Sequence, residues 1–159
     1  MRQATLEDLD PLTELFEQYR QFYGKISDFD AAKNFLKERI KNQQSTIFIS
    51  IDENQKPTGF VQLFPIFSST RLKKMWLLND LFVHPDHRGQ GISKQLIQKA
   101  QAFVRDNDGC GLILETSKQN QIGNSLYPKT HFGLDTENNY YVWNIEIDNK
   151  SQDQNTNQT

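Results

Sequence analysis

Residues 84–100 read HPDHRGQGISKQLIQKA. Gly89 and Gly91 stand just ahead of a segment in which Ile92, Leu96, Ala100, Phe103 and Val104 fall at the spacing of one helix face. Glycine is a poor helix former and loses more freedom on ordering than any other residue. Two of them at a helix entrance therefore mark a backbone that turns unusually or is approached closely. The unpaired N–H groups of a first helical turn gather at the positive end of the helix dipole, which makes such an entrance an anion site. Arg88, Lys94 and His87 can add charge, with Gln90, Ile92 and Ser93 completing the turn. An ordinary glycine-capped loop has the same local signature. Spacing excludes two common phosphate loops. A P-loop needs G-x-x-x-x-G-K-[ST], but here Ser93 precedes Lys94; a dinucleotide loop needs a third glycine where Lys94 stands.

A strand must deliver that turn, and KMWLLNDLFV, residues 74–83, is the predicted one. Before it, RQAT can form a short first strand, and Thr5 with Asp8 has the form of a capping pair. Leu6, Leu9, Leu12, Leu15, Phe16, Tyr19 and Phe22 then trace a helical stripe. Pro11 fits it if Asp10 caps a second beginning. A second helix is expected over 30–41, and segments 46–51 and 58–67 form a hairpin around DENQKP. After the glycine turn and its helix, Gly109 is expected to be the left-handed stop. LILET at 112–116 reads as a strand, 122–129 as a short helix and YYVWNIEI at 140–147 as a closing strand. The sum is a mixed α/β fold, a mostly antiparallel central sheet flanked by helices. It forms one domain over 1–147, with a polar tail at 148–159 expected to be disordered.

Composition narrows the function classes. Eighteen Lys plus Arg against 20 Asp plus Glu leave a net charge of −2, which argues against a general nucleic-acid or membrane-surface binder. A single cysteine, Cys110, allows no intrachain disulfide, and no apolar run nears the about 18 residues of a membrane span. These features predict a cytoplasmic protein. His84, His87 and His131 lack metal-ligand spacing, so no metal is expected.

The pattern Arg88-x-x-Gly91-x-Ser93 after a strand resembles motif A, [QR]-x-x-G-x-[GA], of the GNAT superfamily of acetyl-CoA-dependent N-acetyltransferases, with Ser93 departing at the last position. NQIGNSLYPKTHFG, residues 120–133, is similar to that family's N-x-x-A-x-x-L-Y-x-x-x-G-F segment: Asn120, Leu126 and Tyr127 match, Gly123 replaces Ala and HFG replaces GF. Within the superfamily, YRQFYG and WLLNDLFVHPDHRGQG resemble the histone-and-other-protein and D-amino-acid acetyltransferase subgroup, and LLNDLFV resembles the corresponding strand of spermidine/spermine acetyltransferases.

The resemblance implies acetyl transfer from acetyl-CoA to a primary amine of a small molecule. A protein-lysine acetyltransferase and a non-catalytic acyl-CoA-binding module are the alternatives. It implies that the strand splays from its neighbour, that backbone groups of Leu81, Phe82 and Val83 pair with the pantetheine arm, and that the amides of Arg88, Gly89, Gln90, Gly91, Ile92, Ser93 and Lys94 hold the pyrophosphate. Asn120 would hold the arm from the other side, and Tyr127 would be the general acid. Asp80 is the candidate base, although a structural carboxylate reads equally well; the polyamine enzymes carry Glu where this chain has Asn79. Tyr19, Phe22, Tyr23, Gln62, Phe64, Phe67, Trp76, Tyr140 and Tyr141 are expected to frame the acceptor, aromatic walls suiting a cationic amine. The resemblance also implies a homo-oligomer joined through the last strands.

Overall fold

The computed structural model describes residues 1–145. Its strands are β1 (Arg2–Gln3), β2 (Thr46–Ile51), β3 (Pro57–Ser68), β4 (Lys73–Val83) and β5 (Leu112–Ile113). Its α-helices are α1 (Leu9–Phe22), α2 (Phe29–Lys41), α3 (Ile92–Asp106) and α4 (Gln121–Leu126). The strands form one sheet in chain order, antiparallel from β1 to β4 and parallel between β4 and β5. The expected mixed α/β architecture is the one observed.

Side-chain chemistry sets the helix starts. Thr5 and Asp8 close a reciprocal capping box, and Arg2 grips the same carboxylate with two nitrogens at 2.7 and 2.5 Å. The chain runs from that box directly into α1, so Asp10 caps nothing; Pro11 is the third helical residue, where its missing N–H has no intrahelical role. Asp28 caps α2 by accepting from the Ala31 amide at 3.0 Å.

Each face of the sheet is covered. Leu12, Leu15, Phe16 and Leu36 from α1 and α2 pack with Ile47, Ile49, Phe60 and Phe82 on one side. Leu96, Ile97, Ala100 and Val104 from α3 pack with Phe48, Val61, Leu63, Trp76 and Leu78 on the other. Alternation along β2 and β3 divides the two sets.

Several expectations are corrected. The left-handed residue after α3 is Asp108 (φ 51°), not Gly109. Gly109 is required for space, since a Cβ there would lie 2.5 Å from the Trp76 ring and 2.7 Å from Val104. Trp76, expected at the acceptor site, is 3 % exposed, with its ring 5.5 Å from Phe103 beneath α3. Only Leu112 and Ile113 of LILET pair with the sheet. Residues 140–145 join no strand, and Tyr140 and Tyr141 are exposed; the end of that segment and the 148–159 tail lie outside the described residues.

Gly109→Ala should therefore overpack the α3 face and lower stability by about 1–3 kcal/mol. Urea denaturation checks this, the midpoint falling with an unchanged slope.

Candidate active site

One extra residue in β4 organises the site. Leu63 pairs with Leu78 and Gln62 with Asp80, so Asn79 has no partner on β3 and forms a bulge. Before the bulge, Trp76 and Leu78 point into the α3 core; after it, Phe82 points into the α1/α2 core. Asp80 takes the side of Phe82 and is only 6 % exposed. The bulge brings Asn79 and Asp80, adjacent in sequence, to one place: Asn79 Nδ2 donates to the Asp80 oxygens at 3.1 and 3.0 Å. Tyr19 of α1 packs on the same side, its ring 6.0 Å from that of Phe82. Burial pushes the Asp80 carboxyl above the ordinary carboxylate range, against the opposing pull of Asn79 and Tyr19. Burial first, then the Asp80 charge, pushes the Tyr19 phenol up.

Beyond Leu77, β4 has no partner on its β5 side. The His84 amide donates to the Thr58 carbonyl at 2.9 Å, which makes that facing pair a hydrogen-bonded one. Such pairs alternate, so the polar backbone groups of Phe82 face β3 while those of Leu81 and Val83 face the open edge. Leu81 turns both its N–H and its carbonyl to that edge, and Val83 its N–H, the Val83 carbonyl accepting from Arg88 Nε.

The turn after β4 shows why it holds glycine. Gly89 and Gly91 have φ of 76° and 75°, a conformation that costs any residue with a Cβ. Nothing lies within 4 Å of a Cβ built on Gly89, and Gly91 would touch only the tip of Gln95, so backbone conformation and not crowding makes the demand. Gly91 is the N-cap of α3, a 15-residue helix, and leaves the amides from Ile92 onward available at its positive end. Ser93 is half-buried and Lys94 exposed beside them. Arg88 turns away: its Nε donates to the Val83 carbonyl at 3.1 Å, and its guanidinium stands 5.6 Å from the Phe82 ring and 6.0 Å from that of Phe22. The loop is thereby tied to the tip of α1, a link with no signal in the sequence.

Across the open edge lies α4. Asn120 caps it, accepting from the Gly123 amide at 3.0 Å and donating to Thr116 at 2.9 Å. Gly123 leaves room for that cap, since a Cβ there would stand 2.6 Å from the Asn120 amide nitrogen. Tyr127 follows, its amide bonded to the Gly123 carbonyl and its own carbonyl accepting from the amides of Thr130 and Phe132. Thr130 is buried and its carbonyl is held by Gln101 of α3 at 2.6 Å, which fixes the tyrosine segment against the second core. Burial, then the nearby Tyr23, pushes the Tyr127 phenol up, so it keeps its proton at neutral pH.

A split between parallel strands, a left-handed glycine turn opening a helix at its mouth, a half-buried phenol and a buried carboxylate are thus the features of this part of the molecule. Residues 9–132 match the sequence profile of the acetyltransferase (GNAT) family. The chain belongs to that family. It is accordingly an N-acetyltransferase, an enzyme of the acyltransferase class. It is 39 % identical over 145 residues to the uncharacterized N-acetyltransferase YhfO of Bacillus subtilis, covering 91 % of this chain and 97 % of that one. It is 40 % identical over 114 residues to a probable acetyltransferase of Haemophilus influenzae, covering 72 % and 77 %. The crystal structure of a probable acetyltransferase superposes with a TM-score of 0.87 at 37 % identity, over 91 % of this chain and 98 % of the other.

Other expected site residues of this acetyltransferase are spread more widely. Tyr19, Phe22 and Tyr23 cluster at the end of α1, with Tyr19 and Tyr23 rings 5.0 Å apart and Phe22 6.5 Å from Phe82. Gln62 lies opposite Asp80, fully buried, and Phe64 follows it on the same strand face. Phe67 is exposed near the hairpin tip, away from this cluster. Among the described residues no group of three His, Cys, Asp or Glu could hold a metal, and no helix is long and apolar enough to cross a membrane.

One residue that sequence reasoning missed is Glu17, an acid on α1 that the periodicity ignores. Buried at 5 % exposure, it pairs with Arg20 and accepts from the Ser27 hydroxyl at 2.7 Å and the Asp28 amide at 2.6 Å, clasping the loop after Tyr23 to the helix. Burial pushes its carboxyl up, but the bonds from Arg20, Ser27 and Asp28 outweigh it and leave the group below the ordinary range. With the folded value depressed, the clasp is intact above the unfolded value and is lost as pH falls through the folded one. Glu17→Ala should speed hydrogen exchange of the Asp28 amide at least about tenfold at neutral pH. In the native chain the same amide should lose protection only in acid.

Proposed function

We propose that this enzyme transfers the acetyl group of acetyl-CoA to a primary amine of a small molecule, such as a polyamine or an amino acid, by direct attack in a ternary complex. The observation that carries the reading is the buried carboxylate of Asp80, set by the β4 bulge just beyond the point where β4 loses its β5 partner.

The residues present fit the coenzyme. The outward N–H and carbonyl of Leu81 and the N–H of Val83 would continue the sheet onto its amides, and the turn from Arg88 to Lys94 would receive its pyrophosphate on main-chain N–H groups. Ser93 would supply a hydroxyl there. Asn120 retains one amide hydrogen beyond its bond to Thr116 for the opposite side. When bound, acetyl-CoA supplies an acyl group activated as a thioester.

An alkylammonium with pKa about 10.4 is neutral in only about one molecule per thousand or fewer at pH 7. Asp80 takes the amine proton, directly or through water, and Asn79 holds the carboxylate in place by donating to it. The aromatic rings of Tyr19, Phe22 and Tyr23 attract the cationic amine on approach, and desolvation against them then favours the neutral form that attacks. Tyr127 gives its proton to the departing sulfur. A carboxylate recessed behind rings suits a slim amine, and the resemblance to polyamine and D-amino-acid acetyltransferases points the same way. The protein-lysine reading draws on the exposed rim, where Phe22 and Tyr23 stand 66 % and 59 % accessible. The lone cysteine, which leaves no intrachain disulfide, supports a cytoplasmic location. A homo-oligomer is supported by the apolar residues exposed between 140 and 145.

Thiol release from acetyl-CoA, measured against polyamines, D- and L-amino acids, aminoglycosides and histone peptides, should find its best acceptor among the small amines. Preference for a peptide would transfer the assignment to proteins, and CoA uptake without turnover would leave a binding module. Tyr127→Phe should lower kcat well beyond threefold with CoA affinity by calorimetry unchanged; turnover within about threefold of native, roughly 0.6 kcal/mol, would remove Tyr127 as the acid. Light scattering should find a dimer or larger at assay concentration, a monomer removing that part of the reading.

A further inference from the structure

We propose, on the reading of Tyr127 as the acid, that Gln101 of α3 is a positioning residue for its phenol. One helix then serves both ends of the coenzyme, the pyrophosphate at its first turn and the reacting sulfur through the residue Gln101 holds. The segment that bears Tyr127 is closed largely by its own bonds. α4 has six residues, too few to stand alone as a helix. Asn120 bonds Thr116 and the Gly123 amide, and Asn124 donates to the carbonyls of Ser117 and Lys118 at 2.9 and 3.2 Å. After the helix, three donors converge on the Tyr127 carbonyl: the Thr130 amide at 3.0 Å, the Thr130 hydroxyl at 2.9 Å and the Phe132 amide at 3.1 Å. Phe132 also sets its ring across that of Tyr127, 5.8 Å away. Whatever fixes Thr130 therefore fixes the backbone of Tyr127.

Gln101 does so from another element. Its Nε2 donates to the carbonyl of buried Thr130 at 2.6 Å. Leu126, Tyr127 and Phe132 also pack against the second core, but apolar contact is non-directional and lets a segment slide where a short hydrogen bond does not. On α3, Gln101 stands at the edge of the buried stripe, one turn beyond Ile97. It is the tenth residue of that helix, roughly 14 Å along the axis from Ile92. A rigid helix thus runs from the N–H groups that would take the pyrophosphate to the side chain that seats the phenol's segment, and their separation is set by one element. A catalytic group displaced by about 1 Å can lose about 10²-fold in rate. Gln101 is one restraint among several, so its loss should cost less, about tenfold.

The test uses the full chain. In Gln101→Met, which keeps the length and removes the donor, the Thr130 and Phe132 amides should exchange with solvent at least about tenfold faster. On the best amine of the acceptor panel kcat should fall about tenfold, with CoA affinity by calorimetry unchanged. The same change made in Tyr127→Phe should leave its residual kcat within about twofold, because the phenylalanine has no proton to place. Gln101→Glu, which keeps the length and cannot donate when ionised, should repeat the pattern and stands in if the Met variant folds poorly. Unmoved amide exchange in folded Gln101 variants overturns the inference. So does a loss of kcat equal in both backgrounds, which a merely structural role would give. Tyr127→Phe alone, if it stays within about threefold of native turnover, removes the acid reading before Gln101 is touched, and Gln101 then has no acid to position.

Discussion

The single extra residue at Asn79 is the constraint on which the rest of the site depends. It falls two residues after Leu77, the last residue of β4 that pairs with β5, and a bulge bends its strand and increases the local twist at that point. The far half of β4 consequently leaves β5 and keeps β3. It also changes which residues face which core. Without the bulge, strict alternation from Trp76 and Leu78 would send Asp80 into the apolar core under α3, where a carboxylate has no donor. With it, Asp80 meets Tyr19 and Asn79, and an edge of unpaired backbone opens where a chain-like ligand can lie.

Polar groups are buried here only where donors have been arranged for them. Asp80, Glu17 and Thr130 are each buried; Glu17 and Thr130 are held by groups from a different element or turn, and Asp80 by Asn79 of the bulge. These bonds convert burial, which alone would neutralise a carboxyl, into definite positions for α1, the loop after Tyr23 and the Tyr127 segment. Gln62 Oε1 and Arg39 Nε are the exceptions, buried and unbonded among the described residues. The same clustering ties cofactor side to acceptor side, since Arg88 spans from the Val83 carbonyl to the Phe22 ring.

Much of the fold was legible in the chain because local rules suffice for it. The hairpin of β2 and β3 and the start of α2 lie within a residue or two of where pattern and capping put them. The misreadings share a cause. Gly109 has the form of a helix stop, yet its small size answers a tryptophan 33 positions earlier in the chain. Trp76 has the hydrophobicity of a pocket wall and of a core residue alike, and only the face it takes decides between them. The alternating apolar run from 140 has the pattern of a strand, but a strand needs an edge to pair with, and residues 140–145 meet none.

What the sequence by itself determined was the sheet with its helices, the glycine turn opening α3, and the Asn120-to-Tyr127 segment, because periodicity, capping and left-handed glycine are properties of neighbours along the chain. What only the tertiary structure decided was the side to which Asp80 turns, the parting of β4 from β5, the packing of Tyr19 on Phe60 and Phe82, and the Glu17 clasp. Each of these depends on groups distant in sequence meeting in a medium that does not forgive an unpaired charge, and no local pattern records such a meeting.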